Sequence, residues 1–164
     1  MSVRFTTDRL TVRDLQPEDG EAVYAIWGDA AVMRYSGMDV IEELERARHV
    51  VDRLRGRYAE DGLGWWAVVP TDGGAAIALC CLQRMPDGEE IEVGYYVRRD
   101  RWGEGLGTEI AKGCLSYGHE EHPRASLVAV VDARNTASRR VLEKAGLAHV
   151  GSTVYRGERR AKYA

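Results

Sequence analysis

The sequence predicts one mixed-sheet α/β domain, for three reasons. Strand-like and helix-like periodicities alternate along the whole chain. No repeat, linker or low-complexity stretch separates these segments. The length of 164 residues, with 45% hydrophobic and 30% charged residues, suits a globular chain that buries a substantial core. We therefore expect residues 1–164 to form a single domain.

The first third of the chain reads as a strand followed by helices. Residues 4–13 have strand character, and Pro17 suits the first turn of a helix whose apolar side includes Val23 and Trp27. Between positions 41 and 58, apolar residues recur at three- and four-residue spacings. This spacing predicts an amphipathic helix with a charged outer face.

The middle third changes to strand periodicity. Strands are expected at 65–69, 75–82 and 91–97, separated by turns at 71–74 and 86–88 that contain glycine and aspartate. Short strands joined by such turns are typical of an antiparallel meander.

The last third combines helices, one buried strand and a hairpin. Three alternate glycines open a helix that is expected to end near Gly118. The apolar run at 126–131 predicts a strand covered on both faces. Asn135 then suits the N-cap of a helix ending at Gly146, and a final hairpin is expected to turn at 156–157.

Bulk properties exclude several classes of function. A net charge of −3 argues against a nucleic-acid partner, although basic residues cluster at 98–101 and 139–144 and suit a polyanionic ligand. A signal sequence and a long apolar run are both lacking, so we expect no membrane partner and a cytoplasmic location. The three cysteines have no metal-site spacing, and no metal is expected.

The segment YYVRRDRWGEGLGT, from Tyr95 to Thr108, carries the strongest functional signal. A strand that ends in a glycine-rich turn opening a helix presents unpaired N–H groups and the positive end of the helix dipole. This arrangement is a ready site for a phosphate or pyrophosphate. The loop reads G-x-G-x-G and lacks both the dinucleotide fingerprint and the P-loop lysine. A hydride-transfer enzyme and an NTPase are therefore disfavoured.

The same loop resembles the acyl-CoA binding motif of the GNAT N-acetyltransferases, Gln/Arg-x-x-Gly-x-Gly/Ala, except that Trp102 stands at its first position. The tryptophan is similar to the start of this motif in the RimJ/RimL-like branch. Residues 135–147, NTASRRVLEKAGL, are similar to that branch's N-x-x-S-x-x-V-L-E-K-x-G-F block, and the N-terminal segment resembles its T-x-R-L start. The resemblance implies a central, mostly antiparallel twisted sheet with a parallel splayed pair at the cofactor site and about four flanking helices.

By this resemblance the co-substrate is acetyl-CoA. Its pantetheine would lie beside the strand before the loop, with the Val97 N–H as oxyanion donor, and its pyrophosphate would rest on the loop amides. The residues expected to bind it are Tyr95, Tyr96, Val97, Arg98, Trp102, Gly103, Glu104, Gly105, Leu106, Gly107, Thr108, Asn135 and Ser138.

Glu92 is the candidate general base, because acetyl transfer to an amine requires an ammonium to lose its proton. It precedes Gly94 in an E-V-G-Y segment that looks like the branch's E-I-G-Y. The alternative is that Glu92 faces solvent, as Glu89 and Glu90 are expected to do. Gly94 would mark a bulge or a close approach of the backbone.

Ser138 is the candidate general acid for the departing thiolate. Many GNAT enzymes place a tyrosine seven residues after the asparagine, whereas this chain has Leu142 there. That departure shifts the role to Ser138, with Tyr95, Tyr96 or a water relay as alternatives. Asn135 is expected to cap its helix, to contact the pantetheine, or both.

The sequence contains no motif that identifies the acceptor. Segments 36–40 and 62–66 and the last hairpin are expected to determine acceptor specificity. Trp65 and Trp66 are adjacent on one strand, so one is expected to line the acceptor pocket and the other to lie in the core. The predicted function is acetyl-CoA-dependent N-acetylation of a protein N-terminus or a small-molecule amine through a ternary complex. The alternatives are a non-catalytic acyl-CoA-binding sensor and an antibiotic- or toxin-type acetyltransferase. A homodimer is left open.

Overall fold

The fold is built on one eight-stranded mixed sheet with helices on both faces. The computed structural model describes residues 2–57, 62–86 and 88–164. Strand order across the sheet is β1-β2-β3-β4-β5-β6-β8-β7. In chain order the strands are β1 (Val3–Thr6), β2 (Leu10–Asp14), β3 (Gly64–Pro70), β4 (Ala78–Arg84), β5 (Glu90–Val97), β6 (Ser126–Val131), β7 (His149–Tyr155) and β8 (Glu158–Tyr163).

Five α-helices accompany the sheet in the described ranges, one more than the expected four. They are α1 (Gly20–Trp27), α2 (Ala30–Met33), α3 (Leu44–Arg55), α4 (Leu106–Glu121) and α5 (Thr136–Lys144). The additional helix is the single turn α2, which is too short to leave a periodic pattern in the sequence. Short 3-10 turns at Pro17–Asp19 and Arg99–Arg101 precede α1 and follow β5.

The alternation of side chains along the strands divides the core into two layers. On β3, Trp66 and Val68 join the cluster that packs against α4, whereas Ala67 and Val69 join the cluster beneath α1 and α3. A strand buried on both faces in this way lies between two layers of helix. This arrangement confirms the predicted α/β class.

Three predicted boundaries were wrong. Residues 4–13 form two strands, because the N–H of Thr7 bonds the carbonyl of Leu10 in a tight turn between them. Helix α4 continues past Gly118 to Glu121, since Gly118 permits close packing: a Cβ there would lie 2.8 Å from a methyl group of Leu127. The helix predicted at 41–58 spans Leu44–Arg55, and its expected end at position 58, like part of the turn at 86–88, lies outside the described residues.

The only parallel strand pair in the described sheet is short and opens into a splay. Strand β6 pairs with β5 only from Glu90 to Glu92, and its later residues pair with β8 instead. Residues 93–97 of β5 are therefore left without a neighbour on that side. The predicted splayed pair is confirmed, and it fixes the position of the site.

Candidate active site

A cleft of about 640 Å³ opens between β5 and β6 where the two strands diverge. The register of β4 and β5 determines which β5 groups face it. Because the N–H of Arg98 bonds the carbonyl of Ile77, the next pair along, Val97 with Ala78, does not exchange backbone hydrogen bonds. The N–H and C=O of Val97, and those of Tyr95 two residues earlier, therefore point away from β4 and into the splay. An extended ligand could pair with them as a strand would.

The glycine-rich loop forms one end of the cleft. Gly103 and Gly105 have φ values of 81° and 77°, which only glycine adopts without strain, and Gly105 is the N-cap of α4. The first turn of α4 therefore presents free backbone N–H groups toward the cleft. The indole N–H of Trp102 bonds the carbonyl of Val97 at 2.8 Å and so joins the loop to the end of β5. This end is suited to an anion such as a pyrophosphate.

Arg9 stabilises the glycine loop through hydrogen bonds to the loop and to the first turn of α4. Its guanidinium donates to the carbonyl of Glu104 at 3.1 Å and to the carboxylate of Glu109 at 2.7 Å. Thr7 also donates to Glu109, at 2.6 Å. Although burial raises it, these hydrogen bonds bring the pKa of Glu109 below its usual value. Thr7 and Arg9 belong to the T-x-R-L segment, so the segment that carried part of the resemblance has a physical role in fixing the loop.

Glu92 lies at the other end of the cleft and is buried, with 7% of its surface exposed. Its Oε2 accepts hydrogen bonds from Gln83 at 2.7 Å and from the hydroxyl of Tyr155 at 2.8 Å. Its Oε1 accepts no hydrogen bond within the described part of the chain. The solvent-facing alternative is therefore excluded for Glu92. Glu90 is partly exposed and pairs with Lys162 at 2.7 Å. A fixed carboxylate with one open oxygen can accept a proton from a bound ammonium.

Gly94 leaves room for the side chain of the residue opposite it on the neighbouring strand. A Cβ at Gly94 would lie 2.8 Å from the sulfur of Cys81, the residue opposite it on β4. The β4–β5 register runs without interruption, so the close approach is confirmed and the bulge is not. Burial raises the pKa of the Cys81 thiol well above its usual value, which makes this cysteine an inert part of the wall.

Ser138 and Tyr95 meet across the cleft. Their hydroxyl oxygens lie 2.9 Å apart, and the oxygen of the Asn135 side chain accepts the Ser138 N–H at 3.1 Å as the N-cap of α5. Burial raises the pKa of Tyr95 to about 12, even though its bond to Ser138 lowers it. Leu142 is buried in the adjacent core, and its side chain has no ionisable proton to donate. Two linked hydroxyls are therefore available to donate a proton at this wall.

An aromatic wall lines the side of the cleft near Glu92. Trp65 stacks on Tyr96 at 5.7 Å between ring centroids, and Trp27 meets both rings edge-on. Trp66 is fully buried on the opposite face. Trp65 thus lines the cleft while Trp66 lies in the core. Tyr96 belongs to this wall and points to the opposite face from Tyr95, so it does not share the hydroxyl pair with Ser138.

Most of the residues predicted to bind cofactor or to catalyse line this single cleft. They are Glu92, Tyr95, Tyr96, Val97, Trp102, Gly103, Gly105, Leu106, Gly107, Thr108, Asn135 and Ser138. Two predicted residues do not line it. The guanidinium of Arg98 makes a bidentate pair with Asp100, and the carboxylate of Glu104 makes one with Arg101. Each of these two side chains is thus held by a partner two or three residues away in the sequence.

Several site residues were not predicted individually. Gln83 and Tyr155, which hold Glu92, and Arg156, which lines the same end of the cleft, come from β4 and the last hairpin. The sequence indicated only that the last hairpin and segment 36–40 contribute to specificity, and Ser36 and Met38 do line the cleft. A polar Gln83 at the end of the apolar β4 run was the one local signal available.

Residues 2–57, 62–86 and 88–164 contain neither a candidate metal site nor a candidate membrane span. No group of three or more histidine, cysteine, aspartate or glutamate side chains is arranged to hold a metal ion. No helix has both the length and the apolar character that a membrane span requires.

Comparison with known proteins agrees with this geometry. Residues 9–148 match the acetyltransferase (GNAT) domain family. The uncharacterized N-acetyltransferase YoaA of Bacillus subtilis is 28% identical over 146 residues, covering 88% of this chain and 82% of YoaA.

Two solved structures share the fold. A GNAT-family acetyltransferase from Bacillus anthracis superposes with a TM-score of 0.82 at 23% identity, covering 99% of this chain and 95% of that one. The ribosomal-protein alpha-N-acetyltransferase RimL, in complex with coenzyme A, superposes with a TM-score of 0.80 at 13% identity. That alignment covers 99% of this chain and 96% of RimL.

The fold and the cleft are those of an acyltransferase, with a glycine-rich loop at one end of the cleft and a buried carboxylate at the other. The chain belongs to the GNAT acetyltransferase family.

Proposed function

We propose that this protein is an acetyl-CoA-dependent N-acetyltransferase that acetylates a primary amine by direct attack within a ternary complex. The observation that carries the proposal is the splay of β5 from β6, which opens at one end onto the glycine loop and at the other onto the buried Glu92. The likeness to RimL, which was solved with coenzyme A, and the loop and asparagine–serine motifs support acetyl-CoA as the co-substrate and a RimJ/RimL-like branch.

The residues present fit this co-substrate. The free N–H groups of the loop would hold its pyrophosphate, and the outward-facing backbone of Tyr95 and Val97 would pair with the pantetheine. When bound, acetyl-CoA supplies an electrophilic thioester carbonyl. The Val97 N–H would stabilise negative charge developing on that carbonyl oxygen, a role worth about 3 kcal/mol where such donors have been removed.

Proton transfer is divided between the two ends of the cleft. Glu92 takes the proton from the acceptor ammonium through its open Oε1, directly or through water. An alkyl ammonium has a pKa of about 10, so only about one molecule in 10³ is neutral at pH 7 and a base accelerates the reaction. The Ser138–Tyr95 hydroxyl pair would return a proton to the departing thiolate. We also propose that residues 1–164 act as one catalytic domain in the cytoplasm.

The test is a thiol-release assay with acetyl-CoA and a panel of amines comprising free amino acids, a peptide N-terminus, a polyamine and an aminoglycoside. We expect turnover with at least one class, and its loss in Glu92→Gln. Tight binding of acetyl-CoA without turnover of any amine would contradict the proposal and favour a non-catalytic acyl-CoA sensor.

A further inference from the structure

The end of the cleft beside Glu92 carries a positive charge that the chemistry described above does not use. Three arginines line the cleft, and two of them are paired with carboxylates: Arg101 with Glu104 at 2.9 Å and Arg160 with Glu158 at 2.7 Å. Arg156 has no carboxylate partner in the described chain. Its guanidinium lies over the ring of Tyr155, at 5.4 Å from the centroid.

Arg156 also stands near Glu92. Tyr155 connects them, because its hydroxyl bonds Glu92 while its ring supports the guanidinium. Burial lowers the pKa of Arg156, but the nearby Tyr155, Tyr96 and Glu92 raise it by more. The guanidinium therefore stays charged at any working pH. Glu92, with one open carboxylate oxygen, and Arg156, with no carboxylate partner in the described chain, thus line the same cleft. The Arg156 side chain is exposed, and Tyr155 is its hydrogen-bond partner.

The backbone at Arg156 is costly for this residue type. Tyr155 pairs with Glu158 across a two-residue hairpin turn in which Arg156 has φ 52° and Gly157 has φ 77°. Such a turn favours asparagine, aspartate or glycine at its first position, and a long side chain is disfavoured there. A residue that violates a local preference beside a cleft indicates that its side chain serves the site.

The remaining wall is apolar. The stacked rings of Trp65 and Tyr96 continue into Val32 and Met38 on and after α2. Arg160 is buried and holds this segment in place by donating to the carbonyl of Tyr35 at 2.8 Å. Apolar side chains therefore form one side of the space beside Glu92 and Arg156.

We propose that the acceptor is a free α-amino acid with an apolar or aromatic side chain, whose ammonium faces Glu92 and whose carboxylate is bound by Arg156. This inference rests on the proposed N-acetyltransferase function and names its substrate class. An amine with an adjacent carboxylate matches the opposite charges of the two residues, and its side chain would contact the Trp65–Tyr96 wall. A protein N-terminus, which has no carboxylate next to its amine, would leave the guanidinium unpaired.

The experiment compares kcat/KM for L-phenylalanine with that for phenylalaninamide and phenethylamine, two carboxylate-free analogues that bracket the basicity of its amine. A charge-assisted hydrogen bond supports an expected preference for the amino acid of about 10- to 100-fold. Arg156→Asn should abolish this preference while its melting temperature stays equal to or above that of the wild type, because asparagine suits the turn. Arg156→Lys should keep part of the preference.

Arg159→Asn is the matched control, since Arg159 is an exposed arginine on the same hairpin, as Arg156 is, but bonds Ser152 and does not line the cleft. This variant should keep the wild-type preference. Calorimetric binding of L-phenylalanine to the protein–CoA complex gives a second readout, which should be lost in Arg156→Asn. Equal turnover of the amino acid and its analogues, or a preference that survives in Arg156→Asn, would overturn the inference while leaving N-acetylation intact. Absence of turnover with every amine would refute the proposed function itself.

Discussion

The two ends of the cleft are built from different parts of the chain. At the end proposed to bind the cofactor, the groups that face the cleft belong to the main chain: the N–H groups of the loop around Gly103 and Gly105 and the free edge of β5. At the end proposed to bind the acceptor, side chains from β3, β4, β5 and the last hairpin face the cleft, among them Glu92 and Arg156. A site made of backbone tolerates varied side chains and serves one ligand in a whole family. A site made of side chains can be changed without altering the fold.

The largest effect is expected at the acceptor end. Glu92→Gln should lower kcat by about 10²- to 10⁴-fold, because the amide keeps hydrogen bonds to the site but cannot take a proton. The KM for acetyl-CoA should stay close to the wild-type value. Steady-state kinetics with each substrate varied in turn measure both quantities.

Glu89→Gln is the control for that experiment, since Glu89 is exposed just before the same strand. It should have wild-type kinetics. A Glu92→Gln enzyme with full kcat would show that Glu92 is not the general base.

A smaller effect is expected at the hydroxyl pair between the ends. Tyr95→Phe and Ser138→Ala should each lower kcat by about 2- to 10-fold, the value of one hydrogen bond. The double variant should fall no further than the more severe single variant if the two hydroxyls act as one relay. Since the pKa of Tyr95 is raised to about 12, its hydroxyl stays protonated and should add no step to the pH–rate profile below pH 10. Strictly additive losses would contradict the relay.

The support beneath the glycine loop should affect only the cofactor end. Arg9→Gln removes the guanidinium that holds Glu104 and Glu109, and we expect the KM for acetyl-CoA to rise about 3- to 10-fold with little change in kcat. Arg48→Gln, which removes an exposed surface pair with Glu45, should leave both constants unchanged. A fall in kcat without a change in KM for Arg9→Gln would place Arg9 in the chemistry instead.

The smallest expected effect is on stability. The hydrogen bonds and charge of Arg134 lower the pKa of Asp132 to about 2. A carboxyl group whose pKa is depressed on folding stabilises the protein above its unfolded pKa, here about 4, and loses that contribution as the pH falls toward 2. Because Arg134 is mostly exposed, Asp132→Asn should cost about 1 kcal/mol or less at pH 7.

Denaturant unfolding at pH 7 and pH 2.5 measures that cost. The difference between Asp132→Asn and wild type should shrink at the lower pH. A difference that grows in acid would contradict the sign of the shift.

The glycine-loop end of the cleft could be predicted from the sequence more fully than the Glu92 end, for a physical reason. The glycine loop, the cap at Asn135 and the order of elements depend on local backbone preferences, so they were readable from short segments. Glu92 was identified only by resemblance, and its partners Gln83 and Tyr155 come from residues 9 and 63 positions away. Contacts between distant strands leave no local pattern, and neither does the support that Arg9 gives to a loop 95 residues further on.

The most direct test of the division between the two ends is calorimetric titration of acetyl-CoA into three proteins: wild type, Glu92→Gln and Gly105→Glu. We expect wild type and Glu92→Gln to bind with the same affinity. Gly105→Glu should not bind, because it places a strained, negatively charged residue at φ 77° beside the phosphate site. Equal loss of affinity in both variants, or no binding to the wild type at millimolar acetyl-CoA, would contradict the account.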